Sequence, residues 1–540
     1  MWENLYIYHM KKILLLAITY VASVNIHAQQ HFTSGGKLKP EQANMDIRHY
    51  TIALDVNFEQ ESINGYTTVD LITAQPTHVL LFDLLDSLNV SQVLVNGKKE
   101  PFVYKDNSIR ITTNDELPAA RYCVKVTYGG KPHVAVRPPW DDGFIWSRDS
   151  TGHHWIAITA EGTGGKLYFP CKDHPSDEPN EGVDMMITVP KDLVVAGPGL
   201  LQKVTKEGGK ATYHWKTNYT INNYSIIFNA GDFKVVSRDY TTINGRHVPM
   251  QFYVLSEHAS KAEHFLDMLV KVTHEKEKYF GEYPWAKEKI GMVETPHLGM
   301  EHQTMVAYGN KFHYTKVGGE DYDWLMHHEF GHEWWGNKVT AKDWADYWIH
   351  EGINTFADVL YYREFAGERA YIDQFKSFGP RIGNKVPVIV GKDIDEEAAY
   401  TDDIYAKGAF FMHTIRYVMG DSLFFPALKK FVTSPQYTYD NLVTTDDVEQ
   451  FFSKEAGQNL KPLFDLYLRT IDLLQINVKA LGGDKYMISL KNMPVALPLD
   501  ITAGGETKRM TIGAQGLVVN SKTAPVIDAD MYYLKKITTE

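Results

Sequence analysis

Apolar and polar residues alternate through Tyr50, Ile52, Leu54, Val56 and Phe58, the period of a strand with one buried face. Runs of the same period recur to about residue 235, parted by turn signals at Asn96-Gly97, Gly129-Gly130 and Gly208-Gly209. This stretch predicts an all-β region. From about Ser260 the period lengthens. Ser260 and Glu263 have the spacing of a capping box, Phe265, Leu266, Leu269, Val270 and Val272 follow at helical spacing, and Gly281 with Pro284 closes the helix. Helical patterns dominate to about Thr470. Alternation returns at Ile476-Asn477-Val478 and at Tyr486, Ile488 and Leu490, around Gly482-Gly483-Asp484. The pattern predicts a multidomain α+β chain: a β domain over 37–238, a mainly helical domain over 239–472 and a small β-sandwich-like domain over 473–540. No tandem repeat or low-complexity run interrupts it.

The first apolar stretch reads as an address. Lys11 and Lys12 precede Ile13-Leu14-Leu15-Leu16-Ala17-Ile18, and the run fades towards Ile26-His27-Ala28. A basic pair, a short apolar core and a small residue at the end describe a signal peptide over 1–28, with Met10 the better start. A spanning helix needs roughly twenty apolar residues. The reading is a secreted or periplasmic protein, with no stable membrane insertion after signal removal and no cysteine placed for a lipid anchor.

Composition narrows the chemistry. The 540 residues are 44% hydrophobic and 23% charged, the balance of a globular protein, and 55 Lys+Arg against 67 Asp+Glu give −12. That acidic balance, without a long basic run, argues against nucleic acid as a partner. With only Cys123 and Cys171, and no CxxC pair, thiolate zinc fingers, iron–sulfur clusters and redox dithiols are excluded, although the two cysteines themselves could pair. A metal would have to be held by His and carboxylates.

Such a set stands in His328-Glu329-Phe330-Gly331-His332. Residues four apart on a helix share a face, so both imidazoles can meet one ion with Glu329 beside it. Gly336 is the natural stop of that helix. Glu351, in Trp348-Ile349-His350-Glu351-Gly352, follows at a distance that allows a turn and a returning helix. Two His and one Glu leave zinc a fourth position, the mark of a catalytic rather than a closed structural site.

The block HHEFGHEWWGNKVTAKDWADYWIHEGINTFA resembles the aminopeptidase N family of zinc metallopeptidases, which includes the leukotriene hydrolases. Gly299-Met300-Glu301, Pro170-Cys171-Lys172-Asp173 and Tyr405-Ala406-Lys407-Gly408 extend the resemblance over most of the chain. It implies a saddle-like β domain, a thermolysin-like catalytic domain and one Zn2+ per chain, with peptides carrying a free N-terminus as substrates. His328, His332 and Glu351 would hold the metal, and Glu329 would serve as general base and acid. By the family pattern, Tyr405 stabilises the oxyanion. Glu301 and, at the matching spacing before Pro170-Cys171, Glu161 hold the α-ammonium. Gly299 and Met300 lie on a strand edge where a peptide backbone can pair.

Three departures stand out. His302 and His350 replace the family's usual Asn, either reshaping peptide binding and ligand support or lying in solvent beside them. Tyr400 matches a second family tyrosine and reads as a pocket wall. The long C-terminal helical domain of many relatives has no counterpart. A lipid epoxide hydrolase using the same metal, and a zinc-binding protein without catalysis, are the rival readings.

Overall fold

The alternating run becomes the strand Met45–Asn57, and Tyr50, Ile52, Leu54 and Val56 are all buried. The computed structural model describes residues 32–540, so the signal peptide and the start at Met10 lie outside the described residues. Met45–Asn57 forms a long hairpin with Ser62–Thr73 and pairs in parallel with Val183–Pro190, at the centre of an eight-stranded sheet. Asn96-Gly97 and Gly208-Gly209 do turn the chain between paired strands. Gly129-Gly130 does not. Both glycines end the strand Arg121–Gly130, where a Cβ on Gly129 would lie 2.2 Å from the Asn64 side chain. A second sheet contains the hairpin Gly143–Arg148/His154–Thr159, whose last strand leads directly to Glu161.

The helical region opens with strands. Phe233–Thr241, His247–Leu255, Ile290–Glu294, Val306–Tyr308 and Gly299–Met300 form a mixed sheet in that spatial order, with Gly299–Met300 at its edge. The division expected between residues 238 and 239 falls inside the first of these strands. Helix α1 (Ala262–Phe280) buries Phe265, Leu266, Leu269 and Val272 and stops at Gly281, whose φ of 85° suits glycine. Its expected capping box is not made. A 3₁₀ turn, Ser256–Lys261, precedes the helix, and Glu263 instead pairs with Arg238 at 2.8 Å.

Helix α2 (Trp324–Gly331) is capped by Asp323, which accepts from the Leu325 and Met326 amides. It ends five residues before the expected stop at Gly336, with His332 as its C-cap. There α3 (Trp348–Phe378) packs so closely that a Cβ on Gly331 would lie 2.1 Å from Asn354 Oδ1. After the short α4 (Glu396–Ala399), α5 (Asp402–Met419) crosses α3. A Cβ on Gly352 would meet Ile404 O at 2.7 Å and Gly408 Cα at 2.8 Å, so the two backbones touch through paired glycines.

The C-terminal strands run from Leu474 to Thr539 in a four-stranded and a three-stranded sheet. Leu474–Gly482 and Lys485–Leu490 form the hairpin foreseen around Gly482-Gly483-Asp484. Their buried faces continue the core of the helices, from Tyr240 through to Tyr533. The chain thus has an all-β N-terminal region, a helical middle and a C-terminal β region, as the pattern predicts. Among the described residues no helix is long and apolar enough to cross a membrane. Cys123 is exposed, Cys171 is buried and both are free.

Candidate active site

The end of α2 and the first turn of α3 bring His328, His332 and Glu351 together. The two Nε2 atoms lie 3.3 Å apart, and each is 3.5 Å from Glu351 Oε2. Four ligands arranged tetrahedrally at about 2.0–2.1 Å from zinc stand about 3.3–3.4 Å apart. The three atoms therefore fit three corners of such a site. Their outer contacts fit as well. His328 Nδ1 donates to Asp358 Oδ2 at 2.7 Å and His332 Nδ1 to the Trp335 carbonyl at 2.8 Å, which leaves both Nε2 lone pairs free. Glu351 Oε2 is buried without a hydrogen-bond partner, an orphan that a cation would satisfy. A second set, Asp149, His153 and Asp232, also gathers ligand atoms, but His153 is half exposed and Asp149 Oδ1 already accepts from the Thr151 and His153 amides.

Glu329 lies against the strand edge. A Cβ on Gly299 would be 2.7 Å from Glu329 Oε1, so only glycine lets this carboxylate stand beside the backbone there. Burial pushes the Glu329 carboxyl up to about 8, with Glu301 and Glu351 adding to the effect against His328 and His332. Met300 is buried next to it, and among the described residues Gly299–Met300 pairs with Val306–Tyr308 alone, at the edge of the sheet. Tyr405, in the first turns of α5, holds its ring tilted 6.2 Å from that of His328, and its hydroxyl meets that of Tyr400. Burial raises the Tyr405 phenol well above its usual range, so it stays a donor. Tyr400 is 38% exposed, on the wall of the site.

Glu301 and Glu161 face this centre from two sides. Glu301 is buried with Oε1 unpartnered, while half-buried Glu161 accepts from the Tyr347 hydroxyl. Burial raises both carboxyls, and each also feels Glu351; Glu161 is raised further by Glu301. Carboxylates repelling one another inside the protein form a ready-made site for a cation. Neither His302 nor His350 lies in solvent. Both are buried, and burial pushes each imidazole down to about 3. His350 Nε2 accepts from the Ala341 amide at 2.8 Å, behind the ligands.

Three supporting residues escape a reading by motif. Asp358 holds His328 and also accepts from His327 Nδ1 at 2.9 Å. It stands seven residues after Glu351, two turns along one helix face, a spacing that could have revealed it. Asn354 donates to the His328 carbonyl at 2.8 Å, and Tyr347 reaches Glu161; neither contact leaves a trace in local pattern.

Residues 265–467, which hold the triad, Glu329, Glu301 and Tyr405, match the family described as Peptidase family M1 domain. Residues 265–467 are thus similar to the family M1 peptidase domain. This agrees with the resemblance to the aminopeptidase N family. Probable aminopeptidase 2 of Sulfurisphaera tokodaii is 25% identical over 426 residues, 74% of this chain and 51% of that protein. Aminopeptidase N of Caulobacter vibrioides is 24% identical over 427 residues, 72% of this chain and 48% of its own length. The chain spans about half the length of these curated relatives. The M1 zinc metallopeptidase of Deinococcus radiodurans, in a crystal structure of a mutant bound to a Tyr-Ser-Ala substrate, superposes with a TM-score of 0.67 at 21% identity. That match covers 81% of this chain and 96% of the other. About four fifths of this chain therefore shares its fold with nearly all of that one.

Proposed function

We propose that this protein is a zinc-dependent aminopeptidase that removes N-terminal residues from peptides. One observation carries the reading: free metal-ligand atoms and a pair of unneutralised carboxylates, Glu161 and Glu301, share one site. A peptidase without Glu161 and Glu301 would have no reason to demand a free amine. With them, a buried α-ammonium finds two negative partners. His328, His332 and Glu351 would hold Zn2+, which when bound polarises the scissile carbonyl and acidifies water. Glu329, its carboxyl raised and lying against Gly299, takes the proton of the attacking water and returns one to the leaving amine. Tyr405 donates to the oxygen that becomes negative. The free edge of Gly299–Met300 pairs with the substrate backbone and fixes its register.

The M1 match and the aminopeptidase names of the relatives support this reading, and they lend none to lipid-epoxide hydrolysis. Aminoacyl-nitroanilides with and without an N-acetyl group test it. Cleavage confined to the free-amine forms, and lost on chelation, is the expected result; equal cleavage of both forms would make the protein an endopeptidase. The basic pair and apolar run before Ala28 support export to the periplasm or medium. Cell fractionation that finds the protein only in the cytoplasm would refute that part.

A further inference from the structure

One buried cation has neither a task in the reaction above nor a partner. Lys338, in the loop after α2, is only 6% exposed. Lysines almost never bury so far unless paired. Among the described residues its ammonium makes no ion pair and no hydrogen bond. Burial pushes it down to about 8, with only Glu282 opposing the fall from a distance. The Tyr439 ring lies beneath it, its centroid 5.5 Å from Nζ. That is close to the about 6 Å limit of a cation–π contact, and a ring face offers no lone pair to any of the ammonium's N–H donors.

Lys338 lines a groove of about 360 Å³ together with Arg246, Lys287, Glu282, Tyr219 and Tyr439. Three cations thus face one acid, and that acid is already engaged. Glu282 accepts from the Thr242 hydroxyl at 2.7 Å and meets Arg246 Nε at 3.3 Å. The groove is therefore a positive spot on a chain whose formal charge is −12. Its floor is braced. Tyr439 holds a φ of 57°, a left-handed conformation that is costly for a bulky residue and that persists only where surrounding contacts enforce it. Its amide donates to the Lys338 carbonyl at 2.8 Å and its hydroxyl to the Pro284 carbonyl at 3.1 Å, while its ring stacks on Tyr219 with centroids 6.0 Å apart. These contacts hold the ring under the ammonium. The partner that could complete Lys338 is an anion arriving through the groove.

We propose that Lys338 anchors a binding site for a small oxyanion, a carboxylate or a phosphate, which Arg246 and Lys287 draw in from the rim. The site takes no part in the proposed reaction and stands whether or not the protein is an aminopeptidase. Calorimetric titration of the zinc-loaded full chain with inorganic phosphate, and separately with acetate, tests it, with sodium chloride at matched ionic strength as the reference. At least one of the two oxyanions should bind the wild type. Lys338→Met keeps the length of the side chain, removes its charge, and should bind that ion about 10- to 100-fold more weakly, the range of a hydrogen bond to a charged group. Without oxyanion its urea midpoint should be no lower than that of the wild type, because it loses an unpaired buried charge. Added oxyanion should raise the midpoint of the wild type alone. Arg246→Gln combined with Lys287→Gln changes two exposed positions and should also weaken binding, which keeps the test alive if Lys338→Met does not fold. Tighter binding of phosphate would identify a phosphate-bearing ligand and tighter binding of acetate a carboxylate; either result supports the site. A wild type that binds neither ion would overturn it. So would equal binding by Lys338→Met, as expected of an anion held at the metal, or a midpoint raised as much by chloride.

Discussion

Asp358 is the sharpest place to test the metal centre, because it never touches the ion. Its Oδ2 accepts from His328 Nδ1 at 2.7 Å and its Oδ1 from His327 Nδ1 at 2.9 Å. Asp358→Asn keeps the shape but leaves one oxygen to serve two imidazoles. If the amide group faces His328, Nδ1 must give up its proton to accept, and the proton moves to Nε2, the atom that should bind zinc. If the amide faces His327, that ring changes tautomer instead. Losing a supporting carboxylate behind a ligating His typically costs 10- to 100-fold in metal affinity. The variant should therefore bind zinc about 10- to 100-fold more weakly, or about 1.4–2.8 kcal/mol. Competition against a chromophoric chelator measures this directly, and titrating zinc back should restore most of the turnover. Unfolding of the metal-free protein should be followed alongside, since a merely structural Asp358 would lower that stability and leave the affinity alone. Zinc affinity within twofold of wild type would refute the assignment of Asp358 as the residue that orients His328.

Four further changes probe the remaining roles. Glu329→Gln should keep its zinc, by metal analysis, while kcat falls by about 10²–10⁴; normal turnover would take Glu329 out of the proton path. Tyr405→Phe should lose about 10²–10³ in kcat with KM little changed, the usual cost of one oxyanion donor; an unchanged rate would make it a packing residue. Tyr347→Phe removes the hydroxyl that meets Glu161, and kcat/KM for free-amine anilides should fall about tenfold, mainly through KM; a purely kcat effect would contradict an amine-binding role. Gly352→Ala drives a methyl into Ile404 O and Gly408 Cα, and should lower the urea midpoint by about 1–3 kcal/mol of stability at unchanged slope; full stability would mean that the crossing can open at no cost.

The metal triad could be read from the sequence because helical geometry carries it: two imidazoles four residues apart, then a turn and a returning helix. The proposed amine site could not be read that way. Glu161 and Glu301 lie 140 residues apart, one after a hairpin of the β region and one just after a sheet-edge strand, and only resemblance joined them. Local signals failed where a tertiary partner outbid them. Glu263 had the spacing to cap α1 but is held by Arg238, and Gly336 had the chemistry to stop α2, but contact with Asn354 accompanies an end at Gly331. Likewise Gly129-Gly130 looks like a turn and is a close passage of two strands beside Asn64.

The same reasoning explains why two helix interiors carry glycine next to functional side chains. A glycine within a helix is about 1 kcal/mol less favourable than alanine, so a propensity reading counts Gly352 and Gly408 as weaknesses. In space they are the contact that lets α3 and α5 cross backbone to backbone. Glu351 immediately precedes the first glycine, and Tyr405 stands one turn before the second. Larger side chains at either glycine would hold the helices apart and carry Glu351 away from Tyr405 by the same distance. The local loss of helix stability therefore sets the spacing between Glu351 and the Tyr405 hydroxyl, the groups proposed to hold the metal and to meet the developing negative charge. For that reason the consequences of Gly352→Ala should reach beyond stability: in the fraction that stays folded, kcat should fall while zinc affinity, set within α2 and the first turn of α3, changes less.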